Sequence, residues 1–279
     1  MLLFVFIVLC GAGFALTARA AQRRNADTLA VGAVNYACAA IISWILAVPP
    51  GASTDPQTLY IGIVGGITYV AAYFCLLPSL EQKGTAIAAS VMQLGVLVPL
   101  VGALLIWGER PQTVAACGIV LAVLALPMLT LDKGVSSQAL TAGRVMVLLG
   151  LFILNGSAML VNKWFHTTGL HGERAMYLAV LFTVAAVGCW LAWLAQRRRK
   201  LGVRELGWGA ALGSFNVAAT LLTLYGLDIY LAAVLFPLVA AVTLAVVTVF
   251  AALAWREIPG RIGWIGLAAA ISAVILANT

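Results

Sequence analysis

Ile106-Trp107-Gly108-Glu109-Arg110-Pro111 and Ala254-Trp255-Arg256-Glu257-Ile258-Pro259 share a Trp-x-Glu-x-Pro frame, once in each half of the chain. The agreement extends outward from this frame. Gly118 follows the first Glu by nine residues and Gly266 follows the second by the same interval, while Gly62/Gly66 upstream has its counterpart in Gly209/Gly213. A single Gly-x-x-x-Gly pair is common in apolar helices, because small residues let two backbones approach closely. Three matches in one order at nearly one offset indicate an internal repeat. The expected organisation is a first copy over residues 1–140 and a second over 141–279.

The residues between these landmarks decide the solvent. Of 279 residues, 63% are hydrophobic and 9% are charged, against about 25% charged in an ordinary soluble domain. Such a chain cannot clothe a water-facing surface, so most of its exterior meets lipid. A bilayer-crossing helix needs about 20 apolar residues, and the hydropathy breaks into runs at 1–19, 28–48, 57–78, 85–107, 112–131, 145–165, 175–195, 207–226, 229–254 and 261–277. Turn-forming residues separate them, among them Pro49-Pro50-Gly51, Lys83-Gly84, Asp132-Lys133-Gly134 and His171-Gly172. Open strands are excluded, since unpaired backbone groups are too costly in hydrocarbon. The expected fold is an all-α polytopic membrane protein with ten transmembrane helices. Each copy holds five spans, an odd number, so the second enters the membrane from the opposite side. Inverted-topology repeats of this kind let secondary transporters alternate between two nearly equivalent states around a site near the midplane.

The closing segments of the two copies, QLGVLVPLVGALLIWGERPQTVAACGIVLAVLAL and LFPLVAAVTLAVVTVFAALAWREIPGRIGWIGLAAAISAVILA, together with this layout, resemble the EamA-type branch of the drug/metabolite transporter superfamily. The resemblance covers essentially the whole chain. It implies a carrier of two inverted five-helix copies around a central cavity lined by helices from both halves, with the fifth and tenth helices peripheral. Two features depart from the pattern. Arg256 stands where the usual Gly precedes the Glu, and Pro99 and Pro237 do not occupy equivalent positions in the two copies, which implies that the halves bend differently.

The net charge of +7 reports on topology. A nucleic-acid partner needs a basic stripe on a folded domain, whereas 13 of the 16 Lys and Arg residues fall in odd-numbered connections between spans. By the positive-inside rule these connections, including Arg197-Arg198-Arg199-Lys200, face the cytoplasm and both termini face away from it. The expected location is a bacterial inner membrane. Ala18-Arg19-Ala20 resembles a signal-peptidase site, but no Lys or Arg precedes the apolar run, so a retained first span is expected. Cysteines 10, 38, 75, 117 and 189 lie within spans without metal-type spacing. Neither a metal nor a cofactor is expected, and the expected partners are a small-molecule substrate, the lipid bilayer and at most a second copy in a weak homodimer.

Polar residues inside spans are costly and point to the protein interior or a wet cavity. Asn155, Met159, Asn162 and His166 make one helical stripe, with Lys163 beside it, and Asn216, Thr220 and Thr223 make another. Tyr69 and Tyr73 lie one turn apart, Gln93 sits on a small polar face, and Tyr225 closes the eighth span. The candidate substrate-binding set is therefore Tyr69, Tyr73, Gln93, Asn155, Asn162, Lys163, Asn216, Thr220 and Tyr225, with Asn35, Tyr36 and Tyr177 as weaker candidates. Against each stands a plainer reading. The asparagines can staple neighbouring helices, worth about 0.6 kcal/mol each, and Lys163 can snorkel to the headgroups.

No Asp or Glu occupies the middle of a span. Glu109 and Glu257 each precede a Pro near the start of the next helix, where a carboxylate suits the helix N-terminus. Proton-coupled extrusion of hydrophobic cations thus lacks its usual carboxylate. The reading that follows is a secondary transporter of a neutral, zwitterionic or anionic organic metabolite, amino-acid-like or related, acting as exporter or exchanger. The alternative is a flippase or scramblase for a lipid-linked substrate. An embedded enzyme is disfavoured, because the short connections bring no nucleophile or His/Asp cluster to the membrane surface.

Overall fold

The computed structural model describes residues 1–47, 54–81, 92, 94–131, 142–195, 201–256 and 260–277. Within them lie ten α-helices and no strand: α1 Leu2–Arg23, α2 Thr28–Ala47, α3 Pro56–Glu81, α4 Leu97–Leu105, α5 Thr113–Leu131, α6 Ala142–Thr167, α7 Arg174–Ala195, α8 Val203–Gly226, α9 Ala232–Trp255 and α10 Arg261–Ala277. A short 3-10 turn, His171–Glu173, precedes α7. Seven of these helices, α1 to α3 and α6 to α9, are long and apolar enough to cross a bilayer, while α5 and α10 are shorter apolar helices. Apart from the fourth run, 85–107, of which only Leu97–Leu105 is a described helix, helix ends fall within a few residues of the hydropathy breaks, because the charged and turn-forming residues that end an apolar run also end the helix.

The chain groups into two compact units, and each draws on both sequence halves. Unit 1 comprises Met1–Ala71 and Val161–Tyr225; unit 2 comprises Ala72–Leu160 and Gly226–Thr279. α3 and α6 therefore each contribute to both.

In unit 1, α2 packs along α7, and the two Gly-x-x-x-Gly pairs make the tightest crossings. A Cβ on Gly62 would lie 2.9 Å from Val180 Cβ and 3.2 Å from the Tyr177 carbonyl, and one on Gly66 would lie 2.5 Å from both the Leu181 carbonyl and Val184 Cβ. α3 thus presses its glycines onto α7. The same contact recurs with the partners exchanged, α8 lying on α2. There Gly209 meets Val34 and the Val31 carbonyl, while a Cβ on Gly213 would be 2.6 Å from the Asn35 carbonyl and 2.8 Å from Cys38 Cβ. Val31, Val34, Asn35 and Cys38 are spaced along α2 as Tyr177, Val180, Leu181 and Val184 are along α7, so the two crossings share one register. Tyr36 and Phe182 occupy equivalent positions in that register and stack on each other, with centroids 6.3 Å apart.

The ends of unit 1 are tied by backbone hydrogen bonds across connections of equal parity. At one end the Arg204 guanidinium donates to the Arg24 carbonyl, and the Arg24 guanidinium sits 5.9 Å above the Trp208 ring. At the other, the Asp55 N–H reaches both carboxylate oxygens of Glu173 at 3.1 and 3.2 Å. Asp27 caps α2 by accepting from the Leu29 and Ala30 N–H groups at 3.0 and 3.1 Å, a device worth about 1 kcal/mol.

In unit 2, α5 packs along α10 and α9 contacts both, as well as α4. A Cβ on Gly266 would lie 2.9 Å from Met128 Cβ and 3.1 Å from Leu129 Cγ. Pro99 has no N–H to offer the carbonyl four residues back, and its ring crowds that carbonyl. The helical ladder accordingly breaks at Gly95, whose carbonyl accepts from Val98 instead, at 3.0 Å. Pro237 lies inside α9.

The repeated frame itself closes α4 and α9. Gly108 takes the left-handed backbone conformation with φ 61°, and Arg256, its counterpart in the second frame, takes the same one with φ 56°. Glycine adopts this region freely, whereas a side chain there costs about 1 kcal/mol. Glu109 reaches a helix other than the one that follows it. Its Oε2 accepts from the Ala233 N–H at 2.9 Å, in the first turn of α9, where the helix dipole favours a carboxylate. Glu257 lies outside the described residues.

Candidate functional site

Unit 1 gathers polar side chains from five helices. The Tyr177 hydroxyl on α7 donates to Asn162 Oδ1 on α6 at 2.8 Å, and Asn162 Nδ2 donates to the Tyr69 hydroxyl on α3 at 3.2 Å. The Thr220 side chain on α8 neighbours Tyr69. Thr220 Oγ1 donates to the Asn216 carbonyl one turn back at 2.8 Å, and Asn216 Nδ2 donates to Asn35 Oδ1 on α2 at 3.3 Å. Tyr177, Asn162, Thr220 and Asn35 are all buried. Leaving such groups unpaired in an apolar interior would cost about 1–3 kcal/mol each, so the helices must bring them together.

Aromatic rings surround the chain. Phe165 stacks on Tyr177 with centroids 4.2 Å apart, and Phe182 meets Tyr69 edge-on at 6.1 Å. The whole combines a line of hydrogen-bonding groups with flat apolar faces, which suits a small organic molecule carrying both kinds of surface.

Two cations are enclosed nearby in sequence. Lys163, adjacent to Asn162, is 7% exposed, unlike a lysine whose head lies free at a headgroup surface. Arg174, which opens α7, is 8% exposed. Its guanidinium lies 4.4 Å over the Tyr225 ring and 3.0 Å from His171 Nδ1. A guanidinium only donates, so that ring nitrogen is the acceptor. The His166 and His171 rings lie 5.3 Å apart.

Of the sequence-derived candidates, Tyr69, Asn162, Lys163, Asn216, Thr220 and Tyr225 all fall in unit 1, and Tyr73 and Asn155 in unit 2. Gln93 lies outside the described residues. Asn155 bonds backbone: its Nδ2 donates to the Met92 carbonyl at 2.8 Å, beside the break at Gly95. Tyr225 is 44% exposed and serves as the face on which Arg174 rests. Tyr177 and Asn35, weak candidates from sequence, are full members of the chain. Arg174 was hidden, because a cation beside a turn reads as a topology marker.

A polytopic helical membrane protein with a buried polar chain built from both sequence halves has the framework of a membrane transporter. Residues 1–131 match the model of the EamA-like transporter family, which supports an EamA-type membrane transporter of the drug/metabolite transporter superfamily. A solved crystal structure of a protein superimposes on it with a TM-score of 0.78 at 15% identity, covering 99% of this chain and 95% of the other; that likeness speaks for the fold alone. No curated protein matches the sequence. Nothing in the family match favours the flippase alternative.

Proposed function

We propose that the protein is a secondary transporter that carries a small organic metabolite, neutral, zwitterionic or anionic, by alternating access, acting as an exporter or exchanger in a bacterial inner membrane. The observation that carries this reading is the Tyr177–Asn162–Tyr69 chain, three helices from both sequence halves meeting through side-chain hydrogen bonds. Side-chain contacts between helices can be exchanged for contacts to a ligand, whereas backbone bonds within helices cannot. Alternating access is supported by the two glycine crossings of unit 1, which repeat one contact with the halves exchanged, as two inverted five-helix copies over 1–140 and 141–279 would require.

The enclosed Lys163 supplies a positive charge beside the chain and complements a carboxylate or phosphate on the substrate. Odd-numbered connections face the cytoplasm, and both termini face the other side. That orientation agrees with the meeting of the first and seventh connections, both rich in arginine, at one end of unit 1.

The test is thermal stabilisation of the purified protein against amino acids, nucleotide derivatives, organic anions and amines, followed by flux of the best ligand into liposomes. Asn162→Ala and Tyr69→Phe should each remove the stabilisation, and Lys163→Ala should remove it for anionic ligands while sparing neutral ones. Ligand responses indifferent to all three would end the proposal.

A further inference from the structure

The end of unit 1 where α1 passes into α2 collects positive charge from helices distant in sequence. Arg23 ends α1, Arg24 follows it, and Arg19 lies one turn earlier. Arg204, in the first turn of α8, donates to the Arg24 carbonyl. The Arg24 guanidinium in turn lies 5.9 Å over the ring of Trp208, one turn further along α8. The Gly209 crossing makes this meeting possible, since it presses the start of α8 against Val31 and Val34 in the first turns of α2.

The carboxylates of this end serve backbone. Asp27 accepts from the Leu29 and Ala30 N–H groups, and Glu205 reaches back to the Gly202 N–H at 3.0 Å, both as acids at helix starts do. The arginines are left in excess, and Arg24 and Arg204 are exposed. A guanidinium that rests on a ring, or gives one N–H to a carbonyl, keeps further donors, in a fork that matches two oxygens of a phosphate.

Three features favour a lipid headgroup over a soluble anion. The arginines stand where α1, α2 and α8, all long and apolar enough to cross a bilayer, begin or end, which is the depth of lipid phosphates. Trp208 is half-buried there, and tryptophan settles at headgroup level. Val203 and Leu206 are exposed beside Arg204, an apolar surface that an acyl chain covers and a water-borne phosphate does not. We propose that Arg24 and Arg204, together with Trp208, bind the headgroup phosphate of an anionic phospholipid whose acyl chain lies along Val203 and Leu206. On the proposed orientation this is the cytoplasmic leaflet, where anionic lipids attract juxtamembrane arginines. The lipid site is separate from the Tyr177–Asn162–Tyr69 chain and stands whether or not that chain binds substrate.

The test is a lipid titration of the full-length protein in detergent, read by native mass spectrometry as dissociation constants for phosphatidylglycerol and for phosphatidylcholine with the same chains. The parent should prefer phosphatidylglycerol about 25-fold, each arginine contributing about fivefold. Arg24→Gln and Arg204→Gln should each remove about fivefold of that preference, whereas Arg110→Gln, an equal change of charge at an exposed arginine of unit 2, should remove none. Should Arg204→Gln fail to fold without its bond to the Arg24 carbonyl, Arg24→Gln decides alone. A second reading leaves the arginines intact. Brominated phosphatidylglycerol should quench Trp208, isolated as the difference between parent and Trp208→Phe, more than brominated phosphatidylcholine does. A parent without preference, a preference lost equally in Arg110→Gln, or equal quenching by the two brominated lipids overturns the proposal. So does glycerol 1-phosphate competing as strongly as the lipid, which would make the patch a site for soluble phosphates.

Discussion

Among the described residues, unit 1 and unit 2 use their interhelical asparagines in different ways. In unit 1 the amides and hydroxyls meet one another, Tyr177 to Asn162 to Tyr69 and Asn216 to Asn35. In unit 2 the principal polar side chains bond backbone, Asn155 to the Met92 carbonyl and Glu109 to the Ala233 N–H. A bond from side chain to backbone repairs a defect of the helices, here the break at Gly95 and the start of α9, whose N-cap residue offers no side-chain bond. A bond from side chain to side chain leaves groups that can re-pair with a ligand. On the proposed function, the contrast puts the binding groups in unit 1 and leaves the helix staples to unit 2.

The largest effect expected from breaking this contrast lies in the glycine crossings that hold the unit 1 chain in register. Gly66→Ala and Gly213→Ala each drive a methyl into a backbone carbonyl and should cost about 1–3 kcal/mol of stability, read as a fall in the detergent melting temperature. Gly207→Ala, with nothing within 4 Å of the added methyl, should change it by less than about 0.5 kcal/mol. Glu109→Ala should destabilise by about 1 kcal/mol through loss of the α9 cap while ligand response persists; loss of response with unchanged melting would move Glu109 from staple to site.

Next in size is the left-handed turn. Arg256→Gly should raise stability by up to about 1 kcal/mol and Gly108→Arg should lower it by as much. Equal melting temperatures for Arg256→Gly and the parent would deny the shared turn geometry. The smallest effect sharpens the comparison most. Asn155→Ala should cost only about 0.6 kcal/mol as an interhelical bond and leave ligand stabilisation intact, whereas Asn162→Ala, which removes the same amide, should weaken it. A ligand profile altered equally by both would erase the distinction between the units.

Much of the architecture was legible in the sequence because hydropathy and turn residues act locally. The apolar runs fell close to the helices, and the Gly62/Gly66 and Gly209/Gly213 pairs were read as tight crossings before any partner was known. The site was legible only in part. Asn162, Tyr69, Asn216 and Thr220 stood out as polar residues on helical stripes, and they converge. Asn155 stood on the same stripe as Asn162, yet it meets a different neighbour. Spacing along a helix says which residues share a face and nothing about what that face meets. Tyr177 was underrated for the complementary reason, since one tyrosine at the start of an apolar run carries no pattern.

Composition and periodicity, then, determined that this chain lives in lipid, where its helices begin and end, that its halves echo each other, and which family it resembles. Those properties depend on each residue's own solvation and on neighbours a few positions away. Tertiary structure alone decided that both units draw on both halves, that α3 lies on α7 as α8 lies on α2, that Glu109 caps the distant helix α9, and that Tyr177, Asn162 and Tyr69 meet. A hydrogen bond between helices needs both partners within about 3 Å, and only packing sets that distance.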